Sequence, residues 1–196
     1  MERRQDAVPG ITRANLRERT LLALKRGRGT SPDVLLVRAD TRLAIVKDFA
    51  PRSPWVRSIV GPRAIAREVR ALRCLEDCRA VPRLLGRIDA LAFAIEHRGG
   101  PRLTHRRPWT FSEHFAEDLR SAVRDMHAHG VVHLDLSHRS NVRADMLGRV
   151  VLVDFASAVA FAPGGIAHRW LLPLLARIDE RALRKWERWL AAPPLG

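Results

Sequence analysis

The chain has 196 residues, 46% of them apolar and 29% charged, which is enough to bury a core and excludes global disorder. No run approaches the roughly 18–20 apolar residues of a membrane-spanning helix, and the opening MERRQDAVPGITRANLRERT lacks the apolar stretch of a secretory leader, so a cytoplasmic protein is expected. The formal charge is +14, and 32 of the 35 basic residues are Arg, so the three lysines (Lys25, Lys47, Lys185) stand out.

In chain order, TRANLRERT (12–20) reads as a short polar surface helix. Three strands follow: TLLALKR (20–26), DVLLVRA (33–39) and RLAIVKDF (42–49). Their short links, GRGTSPD and DT, predict an antiparallel meander. Pro51 and Pro54 mark a loop, and Ile65, Val69, Leu72 and Leu75 recur at helical spacing over about 62–77. Cys74 and Cys78, at i,i+4, suit one face of that helix as packing residues, and two cysteines cannot staple a fold of this size. VPRLLGRID and ALAFAIEHR read as two more strands. After a polar linker, PRLTHRRPW, Ser112 with Glu113 and Glu117 opens a helix, and Gly130 suits its C′ position. Short strand pairs are expected around VVHLD and RVVLVDF. Helix then runs from about Gly165 to Ala191, broken near Pro173 and restarted at Asp179. The expected organisation is a five-stranded sheet with one helix over 1–98, followed by a mostly helical half over 99–196.

Chemistry concentrates in HGVVHLDLSHRSNV and VVLVDFASA. Asp135 follows a short strand, Asn141 lies six residues on, and Asp154 ends another strand. A carboxylate such as Asp135 can accept a hydroxyl proton. Asn141 and Asp154 are hard oxygen donors of the kind Mg²⁺ uses when it also holds substrate phosphates.

These segments resemble the protein kinase-like superfamily, whose catalytic loop reads H-x-D-L-x-x-x-N and whose metal loop reads D-F-G. The resemblance implies an α+β fold of minimal bilobal kinase-like type, with a five-stranded antiparallel sheet and one helix in the first lobe and a reduced helical second lobe. It also implies ATP and Mg²⁺ as cofactors. Lys47, on the third strand, takes the role of the phosphate-binding lysine, and Glu68 on the following helix orients it. Gly27 and Gly29 stand where the phosphate-covering loop belongs. Ile95, Glu96 and Arg98 match the hinge that meets the adenine edge. Asp135 is the expected base, with Asn141 and Asp154 as metal ligands; His133 is expected to prop the loop.

Three departures accompany the resemblance. The step from Asp135 to Asn141 is one residue longer than the motif, which also admits Ser140 at the asparagine place. Ala156 replaces the glycine of D-F-G, and no A-P-E follows in the remaining 41 residues after Phe155. Within that superfamily, the short length and missing activation segment resemble compact bacterial lipopolysaccharide (Kdo/WaaP-type) kinases and RIO-type kinases. The implied activity is phosphoryl transfer from Mg-ATP to a hydroxyl acceptor, on a glycolipid or a protein. The alternative is a pseudokinase that keeps the fold as a nucleotide-binding scaffold.

Two other signals compete for attention. His127, His129, His133 and Asp135 use the vocabulary of zinc hydrolases, but His127 and His129 lie two apart and point in divergent directions. The tail carries Trp170, Trp186 and Trp189 among arginines. It reads first as packing helices, and second as a basic face for the anionic inner surface of the cytoplasmic membrane. No groove-reading or base-stacking module supports nucleic acid as the partner.

Overall fold

The computed structural model describes residue 8, residues 10–99, Ser112 and residues 114–191. The linker PRLTHRRPW and the helix-opening Glu113 lie outside them. The protein is mixed α+β, with nine strands and four α-helices among the described residues. It divides into two compact units, residues 1–69 with 83–97, and residues 70–82 with 98–196. Residues 70–82 group with the second unit, although they precede the last strands of the first.

The first unit is built on a five-stranded antiparallel sheet of β1 (Thr20–Lys25), β2 (Asp33–Ala39), β3 (Arg42–Asp48), β4 (Leu84–Arg87) and β5 (Ala92–Glu96), in spatial order β1-β2-β3-β5-β4. The two-residue link at Asp40 and Thr41 closes β2 on β3 because Asp40 takes a positive φ of 49°. Strand alternation then sorts the side chains. Leu35, Val37, Ala39, Ala44, Val46, Ala92 and Ala94 form one buried face, covered by Val8, Ile11 and Leu16. The helical stretch expected over 12–20 is only one turn, α1 (Leu16–Arg19), and Leu16 makes it a cover for the sheet rather than a polar surface element. The opposite face carries Val34, Leu36, Ile45, Lys47, Phe93 and Ile95, paired in register across the strands.

Arg13 fastens that cover. Its guanidinium meets Asp89 at 2.6 Å and the buried Asp48 at 2.8 Å. A π-helical turn (Val56–Val60) runs directly into α2 (Gly61–Cys74). Gly61 lets the helix start close to Phe49, since a Cβ there would lie 3.0 Å from the Phe49 side chain. The helix ends at Cys74, earlier than the expected 77, so Cys78 lies beyond it and the two thiols share no helix face.

In the second unit α3 (Phe115–Ala128) ends at Gly130, whose φ of 76° and N–H to the His127 carbonyl make the expected C′ stop. Ser112 is not its cap: the helix starts at Phe115, and the Ser112 hydroxyl donates to Asp118 instead. Two small antiparallel pairs follow. β6 (Val131–Val132) pairs with β9 (Val159–Ala160), and β7 (Val142–Ala144) with β8 (Val150–Leu152). The final helix, α4 (Ile166–Ala191), is continuous through Pro173, where a break is expected from sequence. The carbonyl that Pro173 leaves unpaired belongs to Arg169, an exposed residue, so solvent can satisfy it and the helix survives.

Among the described residues, Arg13→Ala removes the only side chain bridging Asp48 and Asp89 and leaves buried Asp48 with one backbone donor, Ala50. Because Arg13 is partly exposed, the expected loss is about 1–2 kcal/mol, a melting shift of roughly 2–8 °C for a chain of this size. An unchanged melting temperature would show that the cover is held by apolar burial alone.

Candidate functional site

In the first unit Lys47 is buried on the central strand β3, and its Nζ lies 2.6 Å from Glu68 Oε1 on α2. Both side chains are at least nine-tenths buried. Two charges so withdrawn from water persist only when paired, because removing either leaves the other uncompensated. Around Lys47 the same sheet face offers half-buried Val34, Leu36 and Ile45, an apolar surface beside a fixed cation.

The glycine loop is fixed from within. Buried Asp33 accepts the Gly27 N–H at 2.8 Å, Arg52 Nη2 at 2.7 Å and Arg26 Nη1 at 3.1 Å, while Arg52 also reaches the Gly27 carbonyl. A Cβ on Gly27 would lie 2.2 Å from the Ser31 carbonyl oxygen. Gly27 is therefore glycine because the loop folds tightly on it, and its amide is spent on Asp33 rather than offered to a phosphate. Gly29, at φ 55° and with no neighbour around a notional Cβ, remains open. Ile95 and Glu96 end β5, with the Glu96 N–H donating to the Arg83 carbonyl. Arg98 belongs to the second unit, where its guanidinium meets Asp145 at 3.5 Å and the Arg79 carbonyl.

The second unit gathers the other three candidates on one small ladder. Val142 pairs with Leu152, and the Val153 N–H to Asn141 carbonyl bond (2.9 Å) extends the ladder by one residue. Asn141 is thereby held opposite Val153, next to Asp154. Two turns carry the chain from Asp135 to Asn141, one closed by His138 N–H on the Asp135 carbonyl and one by Asn141 N–H on the His138 carbonyl. The extra residue of the loop is absorbed in these turns. Ser140 faces His138, at 2.6 Å, whereas Asn141 is buried and its Nδ2 donates to both the Asp135 carbonyl and Asp135 Oδ2 at 2.9 Å. The position inside the loop belongs to Asn141, not Ser140.

Backbone strain marks the same residues. Among the described non-glycine residues only Asp40, Leu134 and Asp154 have positive φ. Leu134 immediately precedes Asp135, and Asp154 has φ 67° and ψ 67°. Such conformations cost roughly 1–3 kcal/mol each and persist only where the surroundings dictate them.

Asp179 supplies that dictation around Leu134. Fully buried on α4, it accepts the His133 N–H at 2.8 Å, the Leu134 N–H at 2.9 Å and His127 Nε2–H at 3.0 Å. The sequence signals Asp179 only as a helix restart; an acidic residue in the apolar register with Ala182, Leu183 and Trp186 is the sign that it works inside. Trp186 Nε1 adds a bond to the Leu136 carbonyl at 2.7 Å. His133 is buried against Phe155 and bonded to the Val153 carbonyl through Nε2, while Nδ1 faces the Asp135 N–H. These partners assign the neutral Nε2–H tautomer, and burial holds its pKa below the ordinary imidazole value despite the nearby carboxylates. It props the loop, as expected from sequence.

Those bonds also dissolve the zinc alternative. His127 is committed to Asp179, His129 Nδ1 to the Asp125 carbonyl and His133 to Val153. No group of three His, Cys, Asp or Glu side chains is gathered for a metal among the described residues. Magnesium asks for less, one or two protein oxygens plus substrate phosphates. Asp154 and Asn141 Oδ1 fit that demand, since Oδ1 accepts only the Ser140 hydroxyl at 3.0 Å and keeps a second lone pair.

Asp179→Ala is expected to cost about 3–5 kcal/mol by stranding three buried donors. Asp179→Asn, which keeps shape but turns an N–H against an N–H, should cost about 1–3 kcal/mol. Urea midpoints in the order wild type, Asn, Ala check this; equal wild-type and Asn midpoints would remove Asp179 from its role. Cys78 is pushed up to about 12 by burial and by its hydrogen bond to Asp125. Native protein at pH 8 should leave Cys78 unalkylated by iodoacetamide in mass spectra until denaturant is added. Rapid native labelling would contradict this.

The chain matches no family model, and no curated protein resembles it at a significant level of sequence similarity.

Proposed function

We propose that this chain is a Mg-ATP-dependent phosphotransferase of protein kinase-like fold, moving the γ-phosphoryl group to a hydroxyl on a glycolipid or protein. The observation that carries the reading is the ladder of the second unit, which holds Asn141 beside Asp154 and bonds Asn141 to Asp135. The buried Lys47–Glu68 pair in the first unit supports it independently.

In this reading the apolar face of Val34, Leu36 and Ile45 receives a flat base, with Ile95 and the backbone at Glu96 beside it. The Lys47 ammonium, held by Glu68, meets the α- and β-phosphates as a point charge; the planar guanidinium used nearly everywhere else in this chain does not suit that place. Asp154 and Asn141 would hold Mg²⁺, which when bound would supply charge neutralisation for the phosphates. Asn141 Nδ2 occupies Asp135 Oδ2, so Oδ1 is left to orient the acceptor hydroxyl and take its proton. Catalysis of this kind is mainly positioning and electrostatic stabilisation. The hydroxyl oxygen forms the new bond to phosphorus as the bridging oxygen of ADP departs with its electron pair.

Thermal unfolding with ATP and Mg²⁺, with ATP and EDTA, and with neither tests the proposal. Ligand at about 100 times its dissociation constant adds about 2.7 kcal/mol, a shift of roughly 5–10 °C. The shift should require magnesium and be lost in Asp154→Asn. Asp135→Asn should keep it, because an acceptor oxygen remains for Asn141, while phosphate transfer or slow ATP hydrolysis disappears. No shift at millimolar Mg-ATP would sink the reading, and a shift without any turnover in wild type would leave the scaffold alternative.

A further inference from the structure

The three tail tryptophans divide sharply. Trp186 is buried and bonded to Leu136, and Trp189 stacks edge-on against it at 5.4 Å beneath Arg139. Trp170 is 71% exposed. At four-residue steps around it stand Ile166, Leu174 and Ile178, with Leu171 flanking, all of them exposed. At 3.6 residues per turn these five side chains make one stripe along the first half of α4. Continued along the helix, the same face turns cationic. Arg177 interleaves with the stripe, and Arg181, Arg184, Lys185 and Arg188 follow, every one exposed. Among the described residues no carboxylate pairs with Arg177, Arg181, Arg184 or Lys185.

A face that is half large apolar side chains and half unpaired cations calls for a partner with the same division. Nucleic acid phosphates answer the arginines and a base can stack on Trp170, but nothing there answers the aliphatic Ile166, Leu171, Leu174 and Ile178. We propose that this face of α4 seats the protein on an anionic bilayer surface. The apolar stripe enters the boundary between headgroups and acyl chains, with Trp170 at the interfacial level that tryptophan prefers, and the basic half meets lipid phosphates. The net charge of +14 adds attraction of the same sign. The contact is peripheral, since no described helix is long and apolar enough to cross a membrane. This inference rests on α4 alone and stands whether or not the chain transfers phosphate.

Co-sedimentation of the full chain with phosphatidylcholine vesicles and with phosphatidylcholine–phosphatidylglycerol vesicles tests it. Binding is expected to the anionic vesicles only, and to weaken as salt rises. Two double variants at exposed positions, Trp170→Ser with Leu174→Ser and Arg181→Gln with Arg184→Gln, should each bind roughly tenfold more weakly or worse. Both should melt like wild type and keep any stabilisation by Mg-ATP, which separates failure here from failure of the phosphotransfer reading. Absence of binding to anionic vesicles would overturn the proposal. So would binding by the Trp170/Leu174 variant equal to wild type, which would reduce the contact to charge alone. A lipid-free dimer that the same variant abolishes would assign the face to a second copy instead.

Discussion

A single buried carboxylate organises the second unit. Asp179 draws two consecutive backbone N–H groups, those of His133 and Leu134, and the His127 ring onto one side chain. It thereby ties α4 to the end of α3 and to the loop that presents Asp135. Without such an acceptor those N–H groups would be buried and unpaired, and the chain would have no reason to hold Leu134 in a left-handed conformation. Hydrogen bonds to a charged, buried acceptor are among the stronger ones available. Three of them on one residue offset the strain of one backbone outlier with margin to spare.

The strained residues explain why the loop can be specific without being large. Leu134 turns the chain so that Asp135 emerges from it. Asp154 turns at the end of β8, where Phe155 must at once be buried against His133. Between them, the bond from Val153 to Asn141 fixes how far apart the two turns begin. The backbone of this short stretch is thus fixed by its own hydrogen bonds, and it holds Asp135, Asn141 and Asp154 in set positions. Ala156 needs no left-handed backbone here, because the positive φ sits on Asp154 and not on the residue two positions later.

The strands were legible because strand signals are local. Alternating apolar residues between Gly, Pro and Asp predict β1, β2, β3 and β5 to within a residue or two, and β3 delivers Lys47 opposite Phe93. Lys47 and Glu68 were legible for a different reason: Lys47 is an isolated lysine in an arginine-rich chain, and the resemblance singled out Glu68 on the following helix. What the sequence did not disclose depends on distant partners. Nothing local says that the Gly27 amide belongs to Asp33, since the competing acceptor lies across a folded loop and is locked there by Arg52. Pro173 gives a correct local signal for a break, yet the helix persists because the orphaned carbonyl faces outward. Cys78 and Ser112 were misassigned to helix positions for the ordinary reason that helix ends are set by tertiary packing more than by propensity.

Helix α4 carries two demands that pull on different sides. Its inward register, Asp179, Ala182, Leu183 and Trp186, is committed to the loop around Asp135. Its outward register is apolar for three turns and cationic thereafter, a composition that costs solubility and contributes nothing to the core. The inward side explains why the helix must be rigid through Pro173: a hinge there would detach Asp179 from the segment that follows Gly165. The outward side then inherits that rigidity. Any surface that captures Trp170 and Leu174 therefore grips the same continuous helix whose next turns carry Asp179 to the backbone of His133 and Leu134.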